Sequence, residues 1–120
     1  MRKFNFSYDE EHDDLFLYDP QAKSKGGVEL GDVVLDLNAQ KEVVGLQFLH
    51  ASRLIHDLID SKTSTSIKKI LCTLDSCRVD IKTKNDLLVI KISLITKDDQ
   101  IRPILSLPRI VQKSPALAPA

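Results

Sequence analysis

Apolar and polar residues alternate from the start of the chain, which is the pattern of a strand with one buried face. The first strand is predicted over 4–8, where Asn5 and Ser7 separate three aromatic residues. A second short strand is predicted over 15–18, ahead of an Asp-Pro stop. The polar segment 21–27 ends in two glycines and is predicted to form a flexible loop.

Three further strands are predicted before the middle of the chain. Residues 28–30 predict a short edge strand, and the alternation at 33–37 predicts another. After a polar turn at 38–42, the run 43–49 is apolar at nearly every position, so it is predicted to lie centrally with both faces covered. Gly45 within this run indicates a bulge or a close approach by another element.

The spacing becomes helical after residue 50. Ser52 is predicted to cap a helix through its side-chain oxygen. The apolar stripe of this helix is Leu54, Ile55, Leu58 and Ile59, and the residues predicted to face away are Arg53, His56, Asp57 and Asp60. The hydroxyl-rich segment 61–66 is predicted to be an exposed connection. Ser66 is then predicted to cap a short second helical turn that buries Ile67, Ile70 and Leu71.

The strand pattern returns at Cys77 and predicts a meander of three strands. These strands cover 77–82, 88–94 and 101–107, with turns at 84–86 and 98–100. Pro103 cannot donate a ladder hydrogen bond, so the last strand is predicted to be an edge. The tail 114–120 is rich in Ala and Pro and is expected to be mobile.

These elements predict an α+β fold. It comprises an antiparallel N-terminal β-meander, one crossing helix of about ten residues, and the C-terminal three-stranded β-meander. A chain of 120 residues with 42% apolar residues can fill one core without disulfides or metal, so a single domain is predicted over 1–113.

Several residues in the first half carry a family resemblance. They are Tyr8-Asp9, Asp13-Asp14-Leu15, Asp36, Val43-Val44-Gly45 and Ala51-Ser52. This pattern resembles a family of small prokaryotic domains of unknown function, and the family-like part is taken as 4–60. The resemblance implies a fold and a shared turn geometry around Tyr8, Asp9 and Asp13, and it implies no activity or ligand.

Charge divides the chain into two halves. Residues 1–60 hold six Lys/Arg and twelve Asp/Glu, whereas the remainder holds eleven and five, so the formal net charges are −6 and +6. Such a split favours complementary surfaces within one fold or between two copies. A more specific hypothesis is a nucleic-acid-binding surface lined by Arg78, Lys82, Lys91 and Arg102. These cations alternate with apolar residues instead of clustering, and no exposed aromatic is predicted nearby to stack a base.

The acidic run 9–14 is the candidate for a divalent cation. It lacks the regular spacing and the glycine of a calcium loop. The structural interpretation is a turn in which Asp9 caps its own backbone while the other side chains point into water.

The histidines and cysteines match no catalytic or metal pattern. His12, His50 and His56 share no helical face and lie beside no recognisable nucleophile. Cys72 and Cys77 are too far apart for a C-x-x-C motif and are predicted to be reduced thiols, at least one of them in the core. The glycines at 26, 27 and 31 match no nucleotide fingerprint. No catalytic, cofactor-binding or metal-binding residue is therefore assigned.

The first functional hypothesis is a cytosolic, non-enzymatic module that acts through protein contacts as a homodimer. An incompletely covered sheet and the opposed half-charges favour it, and no apolar run is long enough for a signal peptide or a membrane span. The second hypothesis is a nucleic-acid-associated regulator, for instance one component of a toxin–antitoxin-type pair. The third is a metal-dependent hydrolase built on the acidic turn.

Overall fold

The computed structural model describes residues 1–59 and 66–108, and within them it has an α+β architecture of one nine-stranded sheet and two short helices. The elements in chain order are β1 (Arg2–Asp9), β2 (Asp14–Tyr18), β3 (Gly26–Leu30), β4 (Val33–Leu37), β5 (Val43–Phe48), α1 (Ala51–Leu58), α2 (Ile67–Cys72), β6 (Ser76–Lys84), β7 (Leu87–Ile95), β8 (Gln100–Ile101) and β9 (Ile104–Pro108). Neither described helix is long and apolar enough to cross a membrane.

All strand pairs are antiparallel, in the order β3-β4-β5-β2-β1-β6-β7-β8, with β9 also paired to β7. The predicted N-terminal meander is therefore wrong in its order, because β5 rather than β3 lies beside β2. Strand β5 lies inside the sheet, as its apolar run predicts, but the helices cover only one of its two faces, so the predicted cover on both faces is wrong. Gly26 and Gly27 belong to the edge strand β3 and not to the preceding loop.

The strand β1 joins the two halves of the sheet. Its residues 2–4 pair with β6, and its residues 5–9 pair with β2. The predicted alternation is confirmed, because Phe4 is buried and Phe6 and Tyr8 are half-buried and pack on the core. One apolar cluster contains buried residues from both halves of the sheet and from both helices.

Gly45 combines both features that its position predicts. The register of β4 and β5 shifts there, so that Leu37 faces Val43 while Asp36 faces Gly45, and Val44 is the extra residue. A Cβ atom on Gly45 would lie 2.8 Å from Oδ2 of Asp36. Glycine therefore fits a bulged strand that passes close to the Asp36 side chain.

Two helices cover the core face, the predicted crossing helix α1 and the predicted short second helix α2. In α1, Ile55 is buried, whereas Leu54, Leu58 and Ile59 are half-buried against the core. The helix has eight residues instead of about ten, and Ile59 is already extended. Asp60 and the predicted exposed connection at 61–65 lie outside the described residues.

The second helix forms as predicted. The hydroxyl of Ser66 accepts a hydrogen bond from the backbone N–H of Lys69 at 3.2 Å. Ile67, Ile70 and Leu71 are its buried residues. A side-chain cap of this kind satisfies one of the N–H groups that a helix start leaves unpaired.

The C-terminal strands follow the predicted meander, but the third strand is divided. Asn85 and Asp86 form the turn between β6 and β7, with Asn85 at φ 57°. The chain then pairs with β7 twice, as β8 and as β9, and is interrupted at Arg102 and Pro103. The proline causes the interruption because it has no N–H to donate. Strand β9 is an edge, as predicted, and residues 109–120 lie outside the described residues.

Candidate functional site

The acidic turn between β1 and β2 contains the predicted Asp9 cap. Oδ1 of Asp9 accepts backbone hydrogen bonds from Glu11 at 3.0 Å and from His12 at 3.2 Å. Its Oδ2 lies 2.7 Å from Nδ1 of His12. This hydrogen bond lowers the pKa of the Asp9 carboxyl and raises the pKa of the His12 imidazole. The predicted structural role of Asp9 is confirmed.

Asp13 corrects the prediction that the other acidic side chains point into water. It has a left-handed backbone, at φ 56°. Its carbonyl oxygen accepts from the N–H of Ala51 at 2.8 Å. Its carboxylate accepts from the N–H of Ser52 at 3.1 Å to each oxygen, and from the Ser52 hydroxyl at 2.6 Å. Asp13 therefore accepts hydrogen bonds from the first two N–H groups of α1. Its negative charge also interacts favourably with the positive end of the helix dipole.

The prediction that Ser52 caps α1 is wrong, because Asp13 supplies the cap. Ser52 is the second residue of α1, and the N-cap residue is His50, which is left-handed and makes no side-chain cap. The Ser52 hydroxyl donates to Asp13 instead of accepting from the helix. A residue from the distant β1–β2 turn thus supplies the cap that sequence reasoning sought locally.

Tyr8 completes a three-residue hydrogen-bonded group, Tyr8–Asp13–Ser52, which we call the turn–helix node. The Tyr8 hydroxyl donates to Oδ1 of Asp13 at 2.5 Å. Burial and this hydrogen bond raise the pKa of Tyr8. Burial works to raise the pKa of Asp13, but the hydrogen bonds from Ser52 and Tyr8 outweigh it and lower that pKa. The node fastens the acidic turn to α1, and both of its hydroxyl hydrogens are committed to Asp13.

Three of the residues that carry the family resemblance meet in this node. Tyr8 and Asp13 are five residues apart and Ser52 lies 39 residues beyond Asp13, yet both hydroxyls bind the Asp13 carboxylate. Sequence reasoning treated them as separate turn and cap residues and missed the contact. The available signal was that all three residues belong to the family-like pattern. A tyrosine, an acid and a serine at a helix start can hydrogen-bond to one another.

The remaining histidines lie on the surface. Nδ1 of His50 is 3.5 Å from Asp32, and Nδ1 of His56 is 3.7 Å from Asp57. These pairs are well exposed, so they contribute little to stability. In the part of the chain that the structure describes, no three side chains of His, Cys, Asp or Glu are grouped to hold a metal ion.

Both cysteines are unpaired, with Cys72 exposed and Cys77 buried, which confirms the predicted thiol in the core. Burial raises the pKa of Cys77 to about 12. The pKa of Cys72 is raised mainly by loss of hydration and secondly by the nearby Glu10 carboxylate. Neither thiol is activated, because a reactive cysteine needs a lowered pKa.

The sheet surface opposite the helices, which we call the outer face, is covered by no other described element. It carries an aromatic pair that sequence reasoning did not assign to a face. Phe16 is 39% exposed, and its ring centroid is 5.0 Å from that of Tyr18. The register places both on the side opposite Leu15 and Leu17. Strand β2 is apolar at four successive positions, so its sequence alone does not separate the two faces.

The outer face has an acidic end and a basic end. The acidic end, on β1 to β5, carries Asp9, Asp14, Glu29 and Asp36. The basic end, on β1 and β6 to β9, carries Lys3, Arg78, Lys82, Lys91 and Arg102, and Asp80 is the one acid on β6 to β9 within the described residues. The four cations predicted to share one face of the terminal strands therefore do so. Burial raises the pKa of Asp36, which lies against Gly45.

A groove of about 490 Å³ lies at the basic end. It is lined by Met1, Arg78, Lys91, Ile92, Ser93, Ile95, Gln100, Arg102 and Ile104. With its oxygen turned toward Arg102, the Gln100 amide accepts from Nε and Nη2 of that guanidinium at 3.1 Å each and from the Ser93 hydroxyl at 2.8 Å. The amide orients the guanidinium without neutralising its charge.

Comparison with known proteins supports the predicted resemblance to a family of small domains of unknown function. The family model "Protein of unknown function (DUF2283)" matches residues 5–52, the segment that contains the whole turn–helix node. An uncharacterised protein of Methanocaldococcus jannaschii, MJ0789, is 35% identical in an alignment of 81 positions that covers 61% of this chain and 70% of that protein. The chain belongs to this family of small domains of unknown function. No solved structure matches it.

Proposed function

We propose that this protein is a small non-enzymatic module that acts through protein contacts, and that its first partner is a second copy of itself. The observation that carries the proposal is the separation of charge along the outer face, with an aromatic pair at its acidic end of which Phe16 is exposed and Tyr18 is half-buried. A cytoplasmic location is part of the same proposal, because an exposed free Cys72 fits a reducing compartment.

The symmetry of a dimer makes this arrangement self-complementary. If two outer faces meet about a two-fold axis, the acidic end of each copy lies on the basic end of the other, and the favourable contact is made twice. Phe16 and Tyr18 supply apolar area beside those charges, as aromatic residues do at many interfaces. Like charges would oppose each other in the parallel arrangement, so charge also selects the orientation.

Light scattering at micromolar concentration tests the proposal. We expect a mass about twice the 13.5 kDa of the monomer. The mass should fall toward that of the monomer as the salt concentration rises, because salt screens the charges of the acidic and basic ends. The double variant Arg78→Glu/Lys91→Glu and the double variant Asp14→Lys/Glu29→Lys should each be monomeric. Mixed together, they should form a heterodimer, because each restores the charge that the other has lost.

The matched control is Arg53→Glu, which makes the same change of charge on an exposed position of α1, away from the outer face. It should leave the mass of the parent unchanged. A parent that stays monomeric on concentration, or a mixture of the two double variants that stays monomeric, would contradict the proposal.

The alternative function is a nucleic-acid-associated regulator, and the observation that favours it is again the basic end. Within the described residues, Arg78, Lys91 and Arg102 make no ion pair. Binding of single-stranded or duplex DNA whose affinity falls steeply with salt would favour this function.

A further inference from the structure

The groove at the basic end joins an apolar lining to cations that have no carboxylate partner among the described residues. Ile95 and Ile104 contribute to its apolar lining, and Ile104 is 48% exposed. The carboxylate nearest in register is Asp80, which is opposite Lys91 on the neighbouring strand, and its Oδ2 lies 3.9 Å from Nζ of Lys82. The positive charge at the groove is therefore not balanced locally.

One of these cations is held in place. With the Gln100 amide oxygen turned toward Arg102, it accepts two hydrogen bonds from the guanidinium and one from the hydroxyl of the buried Ser93, which is 3% exposed. A guanidinium whose Nε and one Nη are occupied still has further N–H groups to donate, because it carries five. A positioned guanidinium loses less conformational freedom when it binds a carboxylate or phosphate.

We propose that this groove binds a small organic anion, a carboxylate, sulfonate or phosphate on an apolar body. The anionic group contacts Arg102, Lys91 and Arg78, and the apolar body lies on the isoleucines. A volume of about 490 Å³ is within the range of about 300 to 1,000 Å³ that small-molecule sites occupy. Because the groove lies within the outer face, binding and dimer formation should exclude each other, and that consequence alone rests on the proposed function.

Fluorescence titration with anilinonaphthalene sulfonate is the test, with the uncharged N-phenylnaphthylamine as the matched probe. The titration uses the folded Asp14→Lys/Glu29→Lys variant, whose groove is intact whether or not the parent dimerises. We expect saturable binding of one sulfonate per chain, and at least tenfold weaker binding of the uncharged probe. Arg102→Gln and Lys91→Gln should each weaken sulfonate binding about tenfold, the loss expected for one charged hydrogen bond, whereas Arg53→Gln should not.

The outcomes separate the two proposals. The groove site is overturned, even if the parent is a dimer, in either of two cases. In the first, adding Arg102→Gln leaves the affinity for the sulfonate unchanged. In the second, the uncharged probe binds as tightly as the sulfonate. Sulfonate binding that follows the predicted order in a protein that never dimerises would support the site and overturn self-association. An oligonucleotide that displaces the sulfonate at nanomolar concentration and loses affinity steeply with salt would show that the cations serve a nucleic acid instead.

Discussion

At the scale of single residues, Asp13 connects the acidic turn between β1 and β2 with the start of α1. One carboxylate takes hydrogen bonds from Tyr8 and from both the backbone and the hydroxyl of Ser52. A half-buried carboxylate is stable only with such partners. Three of the family-like residues, Tyr8, Asp13 and Ser52, therefore connect the acidic turn with the start of α1.

The pKa values of Tyr8 and Asp13 shift in opposite directions, so their hydrogen bond should stabilise the fold within a pH window. Asp13 has a lowered folded-state pKa, so its contribution is present above its ordinary value of 3.8 and is lost as the pH falls through the folded value. Tyr8 has a raised pKa, so its contribution is present below 10.0 and is lost as the pH rises toward the folded value.

We therefore expect Tyr8→Phe to cost about 1.5–3 kcal/mol near neutral pH, as the loss of a hydrogen bond to a charged group. The difference in unfolding free energy between parent and variant should narrow at both ends of a urea series from acid to alkaline pH. Tyr18→Phe is the control, because it removes the same hydroxyl from the outer face and should stay within about 0.5 kcal/mol of the parent. A difference that is constant across pH would contradict the shared hydrogen bond.

At the scale of elements, the short helix α1 depends on its contacts more than on its own stability. Eight residues are fewer than the roughly 12–15 that an isolated helix needs. Its N-terminus is held by Asp13, and its fully buried apolar residues are Ala51 and the larger Ile55. The centre of its packing is therefore Ile55, while the helical stripe in the sequence suggested Leu58 equally.

We expect Ile55→Ala to cost about 2–5 kcal/mol, the range for a large core residue cut back to alanine. Leu58→Ala should cost clearly less, because Leu58 is only half-buried. Chemical denaturation monitored by circular dichroism measures both, with the exposed His56→Ala as the control. An equal or larger loss for Leu58→Ala would show that α1 packs in a different rotation.

Most elements follow from local pattern, and the errors share one physical cause. Alternation locates β1, β4, β6 and β7, and the caps and buried residues of α2 are as predicted. The order of β2 and β5, the cap of α1 by Asp13 and the face of Phe16 all depend on contacts between distant segments. A single strand or helix start does not contain that information, since tertiary packing selects among locally allowed arrangements. The outer face was expected to be incompletely covered, but its aromatic pair could be placed only from the register.

At the scale of the whole molecule, β1 couples two halves that differ in charge and in family resemblance. The family model stops at residue 52, yet the apolar cluster continues through β6, β7 and both helices. Strand β1 belongs to both parts, with Phe4 opposite Cys77 and the next residue, Asn5, opposite Tyr18. We propose that the two parts form one cooperative domain, as the single-domain prediction over 1–113 requires.

Phe4→Ala tests this coupling, because Phe4 is 1% exposed at the joint. We expect a loss of about 3–5 kcal/mol, the range for a buried Phe cut to Ala. Native-state hydrogen exchange should show protection falling by a similar amount in β4, on the acidic side, and in β7, on the basic side, because a shared strand cannot be lost from one part alone. The control Ile104→Ala changes a side chain that is 48% exposed and should leave protection in both strands near the parent value. Loss of protection in β7 with β4 unchanged would mean that the two parts unfold separately and that β1 joins two domains.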